Sequence, residues 1–246
     1  VPTASAASAE QLPARTAAVW AALDPLVGAG TPLRVLDVGG GSGMFAVPLA
    51  RLGHAVTVVD PSADALATLR RRADTAGVGE GIRAVQGDGD LLREVLPDGE
   101  PDYDLALCHS VLEVVDDPAT TLRQVAGVLR SGGRVSIATA NRAGAVLARA
   151  LAGHPIEARA LLEDRKPVPG RDRPAARRFD PGALLALVEA AGLEPGPWRG
   201  VSVVADLLDA ASEAEPEAVR ALELALAGAS PYRDVAAGLH VLATRR

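Results

Sequence analysis

The sequence predicts an α/β fold: a doubly wound sheet of seven mostly parallel strands carrying a small inserted lid. Three observations point there. A short apolar run, RVLDV (34–38), enters a cluster of glycines, GGGSG, that opens directly on a helix-like stretch. Strand-like and helix-like segments then alternate at βαβ spacing as far as residue 140. An acidic residue, Asp60, closes the second strand-like run about 20 positions beyond the glycines, where the carboxyl end of a neighbouring strand should lie.

Taken in order, residues 11–27 place Leu12, Val19, Trp20, Leu23, Leu26 and Val27 at helical spacing, which predicts an N-terminal helix. Strand one (34–38) leads through the glycines into a helix over about 42–52, and AVTVVD (55–60) makes strand two. Ser62 is placed to cap the helix that follows. Strand three is IRAVQG (82–87), strand four YDLALCH (103–109), and strand five RVSIATA (134–140). The helix between the last two starts at Pro118, where a missing N–H costs nothing, and stops before Gly132 and Gly133. Beyond residue 140 the pattern changes to a helix (141–153) and then to an irregular stretch rich in proline and arginine (154–180). Residues 181–193 return to helix, 197–208 contain a sixth strand, 215–228 form another helix, and GLHVLATRR closes as strand seven.

With 246 residues, 48% of them hydrophobic and 23% charged, the chain fits one globular domain over 11–246, with 141–180 as a lid and 1–10 as a disordered tail. A net charge of −6 argues against a surface that grips nucleic acid everywhere, while a local basic patch stays compatible with it. The single cysteine, Cys108, excludes an intramolecular disulfide and a thiolate-built metal site, and fits a reducing cytoplasm as a small buried side chain. No metal is expected, and neither a signal peptide nor an uncharged apolar run of about 18 residues is evident, so no membrane association is expected.

The glycine turn is where a ligand should lie, because a backbone turning that sharply needs φ > 0 and a ligand can approach it closely only where no Cβ intervenes. A dinucleotide fingerprint would need a third glycine where Met44 stands, which weakens an NAD reading. Asp37, Gly39, Gly41 and Gly43 instead match acidic-x-G-x-G-x-G, and the stretch resembles the first motif of the class I S-adenosylmethionine (SAM) methyltransferases, whose fold is Rossmann-like. On that footing Asp60 accepts hydrogen bonds from the ribose hydroxyls of the cofactor, and Asp90, in the loop after strand three, borders the adenine.

HSVLEVVDDP (109–118) resembles the corresponding segment of the tRNA 5-carboxymethoxyuridine methyltransferases, which methylate the carboxylate of a modified wobble uridine. The similarity extends to QLPARTAAVW, to the asparagine and helix after strand five, to the basic stretch before FDPGALL, and to PYRDVAAGLHVLATRR. It implies that SAM is held by Arg15, Gly39, Gly40, Asp60, Gly89, Asp90 and His109, with Asp37 and Gly41 contributed by the glycine motif. Arg15 would pair with the methionine carboxylate. The lid's basic residues, among them Arg165, Lys166, Arg171, Arg173, Arg177 and Arg178, keep positive charge but not the family's lysine-rich run; Arg165, Arg177 and Arg178 are the candidate substrate contacts. At 2% aromatic content there is little to stack on splayed-out bases.

Methyl transfer from a sulfonium is an in-line displacement leaving S-adenosylhomocysteine (SAH), and it needs positioning more than side-chain chemistry. A carboxylate acceptor needs no base; a phenol or amine acceptor would, and His109 is the candidate, either in that role or lining the pocket. His54 and His154 are expected in solvated loops, and His240 can face either way. Three readings stand: a methyltransferase acting on tRNA, one acting on a small metabolite, and a SAM-binding module without catalysis.

Overall fold

The computed structural model describes residues 13–97, 102–163, 176–208 and 214–246. Strands β1 (Arg34–Val38), β2 (Ala55–Asp60) and β4 (Tyr103–His109) have the predicted bounds, and all three are largely buried on both faces because helices cover both sides of a parallel sheet. β3 (Ile82–Gln86) is the half-exposed edge. β1 pairs in parallel with β2 and with β4, and β2 in parallel with β3. β5 (Leu129–Ala140), β6 (Leu193–Pro195), β7 (Arg199–Val201) and β8 (Gly238–Arg245) complete the order β3-β2-β1-β4-β5-β8-β6, with β7 also on β8. Strand order reverses between β1 and β4, so the carboxyl ends of these two strands form the crevice where open α/β sheets bind ligands.

The helices are α1 (Ala17–Val27), α2 (Ala46–Arg51), α3 (Ala63–Thr75), α4 (Leu92–Val95), α5 (Pro118–Val128), α6 (Arg142–Leu151), α7 (Pro155–Leu162), α8 (Pro181–Ala190) and α9 (Pro216–Leu226). Ser62 caps α3 by accepting from Ala65 N–H, and Asp117 caps α5 by accepting from Ala119 N–H. Several boundaries depart from expectation. α2 begins at Ala46 rather than near 42, because the glycine turn keeps the chain non-helical as far as Phe45. β5 starts at Leu129, since the fully buried Leu129 is already extended and carries α5 straight into the strand. α7 forms inside the stretch expected to be irregular, because Pro155 occupies the first helical turn, where proline is tolerated. The predicted sixth strand, within 197–208, is β7, and an unpredicted strand, β6, precedes it; both run antiparallel to β8, one residue out of register across Gly196, Pro197 and Trp198. Proline cannot donate to a ladder, so the interruption falls there. Residues 1–10, and Gln11 and Leu12 of the predicted first helix, lie outside the described residues.

Contacts divide the chain into two compact units. One gathers 23–137, 185–196 and 241–246, and so holds β1 to β4 with their helices. The other gathers the described part of 1–22 with 138–184 and 197–240. In this second unit two buried polar side chains tie loops together. Asn141 is fully buried, donates from Nδ2 to the carbonyls of Asp234 (3.0 Å) and Ala236 (2.8 Å), and caps α6 through Ala143 N–H. Glu223 accepts from the N–H groups of Val203, Val204 and Ala205 at 2.7–2.9 Å, which satisfies a carboxylate that burial would otherwise penalise. No helix of the described residues is long and apolar enough to cross a membrane.

His54, expected to be solvated, is buried in the sheet unit. Its Nδ1 accepts from Leu33 N–H and its Nε2 faces the Val27 carbonyl, both at 3.1 Å, so one neutral tautomer joins the end of α1 to the start of β1. His240 is buried in β8, and His154 is exposed. Burial lowers the His54 pKa, with the Val27 carbonyl pulling the other way. A folded pKa below the ordinary 6.5 means that this residue's contribution is complete above pH 6.5 and is lost as pH falls through that value. His54→Ala should cost about 1–3 kcal/mol and flatten the fall of thermal stability between pH 6.5 and 5, measured by calorimetric scans of both proteins.

Candidate active site

The turn after β1 is built by close approaches. Gly41 sits at φ +53°, a left-handed conformation that side chains rarely adopt, and its N–H donates to Asp60 Oδ2 at 2.9 Å. Asp60 Oδ1 accepts from Ser62 N–H at 2.8 Å, and Gly39 N–H reaches the Val59 carbonyl at 2.7 Å. One carboxylate at the end of β2 thus fastens the glycine turn to the start of α3, and each of its oxygens retains a lone pair for a further donor. Gly40 is glycine for a steric reason: a Cβ there would lie 2.5 Å from the Asp37 carboxyl.

Asp37, at the end of β1, is 3% exposed, and its Oδ2 has no hydrogen-bond partner. Burial first, and the nearby Asp60 charge second, push its pKa up to about 7. Cys108, paired with Val38 on β4, is fully buried, and burial together with the charges of Glu113 and Asp37 keeps its thiol protonated. It is the small apolar residue the sequence predicts.

The loop after β3 brings Gly89 against the end of β1, where a Cβ would meet Val38 Cγ1 at 2.9 Å. Asp90 accepts the Thr121 hydroxyl from α5 through Oδ1, so one of its two oxygens is already engaged. His109 ends β4. Its Nε2 lies 2.8 Å from Ser136 Oγ on β5, and its ring meets Phe45 edge-on with centroids 4.5 Å apart. The ring keeps some surface open, yet it is enclosed deeply enough that burial lowers its pKa to about 3. Ser110 follows at φ +58°, a strained conformation that turns the chain so that Val111 packs over Gly39.

Asp37, Gly39, Gly40, Gly41, Asp60, Gly89, Asp90 and His109 therefore all stand in the sheet unit at the carboxyl ends of β1 to β4. Arg15, Arg177 and Arg178 belong to the other unit. Arg15 pairs with Asp206; Arg177 is exposed; Arg178 donates to the Ala176 carbonyl at 3.0 Å. Arg165, Lys166, Arg171 and Arg173 lie outside the described residues. Phe45, Thr121 and Ser136 are neighbours of the site that the sequence reading missed. Thr121 had a signal, one helical turn beyond the α5 cap; the cross-strand contact of Ser136 had none. Among the described residues no group of three or more His, Cys, Asp or Glu is arranged to hold a metal. The donor set suits an adenosine carrying a positive charge: an amide-anchored carboxylate for ribose hydroxyls, a notch free of side chains, and a buried carboxylate oxygen lacking a donor.

Comparison with known proteins agrees. A methyltransferase domain family model matches residues 36–137. The tRNA 5-carboxymethoxyuridine methyltransferase of Escherichia coli K12 is 30% identical over 236 residues, covering 94% of this chain and 88% of that protein. The ubiquinone biosynthesis O-methyltransferase of Xanthomonas euvesicatoria is 33% identical over 168 residues, 68% of each chain. Among solved structures, magnesium protoporphyrin IX methyltransferase of Synechocystis with bound SAH superposes with a TM-score of 0.61 at 15% identity, covering 95% of this chain and 83% of that one, a likeness of fold. The chain belongs to the class I SAM-dependent methyltransferases, and SAM is its cofactor.

Proposed function

We propose that this enzyme methylates a carboxylate on tRNA, that of a 5-carboxymethoxyuridine at the wobble position, and that it does so in the cytoplasm. The observation that carries the reading is the extent of the match: the tRNA enzyme aligns with 94% of the chain, lid region included, whereas the ubiquinone O-methyltransferases of Xanthomonas euvesicatoria and Xylella fastidiosa align with 68% and 81%. The site's chemistry supports it. A histidine whose pKa is lowered to about 3 is a poor acceptor for a phenol proton, and a carboxylate acceptor has no proton to remove at neutral pH. The second reading, O-methylation of a small phenolic metabolite, rests on relatives of the ubiquinone class and would need His109 to act as a base despite that shift.

In the proposed arrangement Asp60 holds the ribose and the main chain at Gly39, Gly40 and Gly41 cradles the methionine portion. Asp37 lies beneath that cradle, while Gly89 and Asp90 border the adenine. Arg15 is assigned to the methionine carboxylate on the resemblance, and His109 lines the site as a neutral ring fixed by Ser136. Bound SAM supplies a methyl on a sulfonium; an acceptor oxygen forms the new C–O bond as the C–S bond breaks and sulfur keeps the electron pair. Arg177 and Arg178, with Arg165, are assigned to the phosphate backbone as part of a lid over 141–180.

Four measurements check this. Asp60→Ala should weaken SAM binding by roughly 1.5–3 kcal/mol in calorimetry, since an ionised acceptor and an anchor of the turn are lost together. With SAM saturating and a carboxylate acceptor, kcat should show no limb near pH 6.5, because His109 stays neutral throughout the range from pH 6 to 8. A limb that His109→Gln abolishes would favour the phenol reading. For the acceptor itself, tRNA affinity should fall steeply with salt, and neutralising Arg177 and Arg178 together should make the log–log slope shallower by roughly one to two. Mass analysis of tRNA from a strain lacking the gene should show the methyl ester missing; its persistence, with no tRNA binding at low salt, would leave the small-molecule enzyme.

A further inference from the structure

The buried carboxylate under the glycine turn is a group that methyl transfer does not need. Asp37 is 3% exposed, its Oδ2 has no donor, and it points at the Cα of Gly40, filling the space where a side chain would stand. The charge that acts on it is of the same sign, that of Asp60 from β2, and the Cys108 thiol of β4 stays protonated. His109, one residue beyond Cys108, is neutral. A buried carboxylate in such surroundings is costly when ionised, so it either binds a proton or awaits a cation. Between SAM and SAH the difference is one positive charge, on sulfur.

We propose that Asp37 is the group by which this site tells SAM from its product: binding of the cationic cofactor drives a proton from Asp37 into solvent, and methyl transfer, by discharging the sulfonium, draws one back. The inference rests on the reading that SAM lies across the glycine turn. It deepens that reading by giving the turn a preference for charge. The steps balance. On binding, the neutral carboxyl would lose H⁺ and the resulting carboxylate, beneath the turn, would offset the cofactor's positive charge. On transfer, sulfur keeps the electron pair of the broken C–S bond and becomes a neutral thioether, and the carboxylate recovers H⁺ as SAH leaves. Its pKa of about 7 places the exchange within the working range, so substrate is favoured over product more strongly as pH rises.

The test is titration calorimetry at pH 7 in two buffers of different ionisation enthalpy, which counts protons released on binding. Wild type should release roughly half a proton more with SAM than Asp37→Asn does, and the corresponding difference with SAH should be much smaller. Protons exchanged by the ligand's own amine are common to both proteins and cancel. The ratio of SAH to SAM dissociation constants should rise several-fold from pH 6 to 8 in wild type and stay flat in D37N. Equal proton counts in the two proteins, or a ratio with the same pH dependence in both, overturns the proposal. Should D37N not fold, carbon NMR of the wild-type Asp37 carboxyl decides: its midpoint should lie lower with SAM than with SAH, and coincident midpoints overturn the idea. Asp60→Ala separates the two claims. If D60A binds both ligands as wild type does, the placement of SAM is wrong; if D60A weakens both but protons do not distinguish them, only the role of Asp37 fails.

Discussion

At the carboxyl end of this sheet the main chain must pass within contact distance of a buried carboxyl, and only a residue without a side chain allows it. Gly40 stands over Asp37 with no room for a Cβ. Once the turn is seated there, its amides have set directions: Gly39 N–H to the Val59 carbonyl, Gly41 N–H to Asp60. Val111, delivered by the strained Ser110, closes over Gly39 from the β4 side. The ends of β1, β2 and β4 are therefore locked to one another by a handful of contacts within three residues. Hydrogen bonds to an ionised acceptor are worth about 1.5–3 kcal/mol each, so the anchored Asp60 arrives already oriented and little ordering remains for a ligand to supply.

How much of this could be read in advance depended on whether the cause was local. β1, β2 and β4 are buried on both faces, and such strands write themselves as unbroken apolar runs, which is why their bounds came out unchanged. The glycine turn was legible for a similar reason, since left-handed backbone and close approach both select one residue type. Where the cause was distant, the sequence was silent. Ser136 reaches His109 from 27 residues away, and Thr121 reaches Asp90 from 31, through contacts that only the packed sheet and its helix create. His54 looked like a loop residue because its partners, Leu33 N–H and the Val27 carbonyl, are main-chain groups with no signature of their own. α7 was missed because Pro155 and the prolines beyond it read as breakers, although the first turn of a helix tolerates one.

The electrostatics of the strand ends bear on what can be methylated there. Two acids, Asp37 and Asp60, are buried near one another, and the His109 ring at the end of β4 is held neutral. A floor of that kind suits a cationic cofactor and repels an anionic acceptor. A carboxylate acceptor is nonetheless compatible with it if the negative charge of the floor is partial. The half-protonated Asp37 makes it so: burial first, and the nearby charge of Asp60 second, push its pKa up to about 7. When the sulfonium is present, its positive charge offsets the one that Asp37 carries, and the approaching oxygen meets a positive sulfur behind the methyl. After transfer that sulfur is neutral, the acceptor's charge is consumed in the ester, and the floor would be left bare. Returning a proton to Asp37 removes the charge that the sulfonium had offset without any other residue moving, which ties the loss of charge on the cofactor to the readiness of the site to release it.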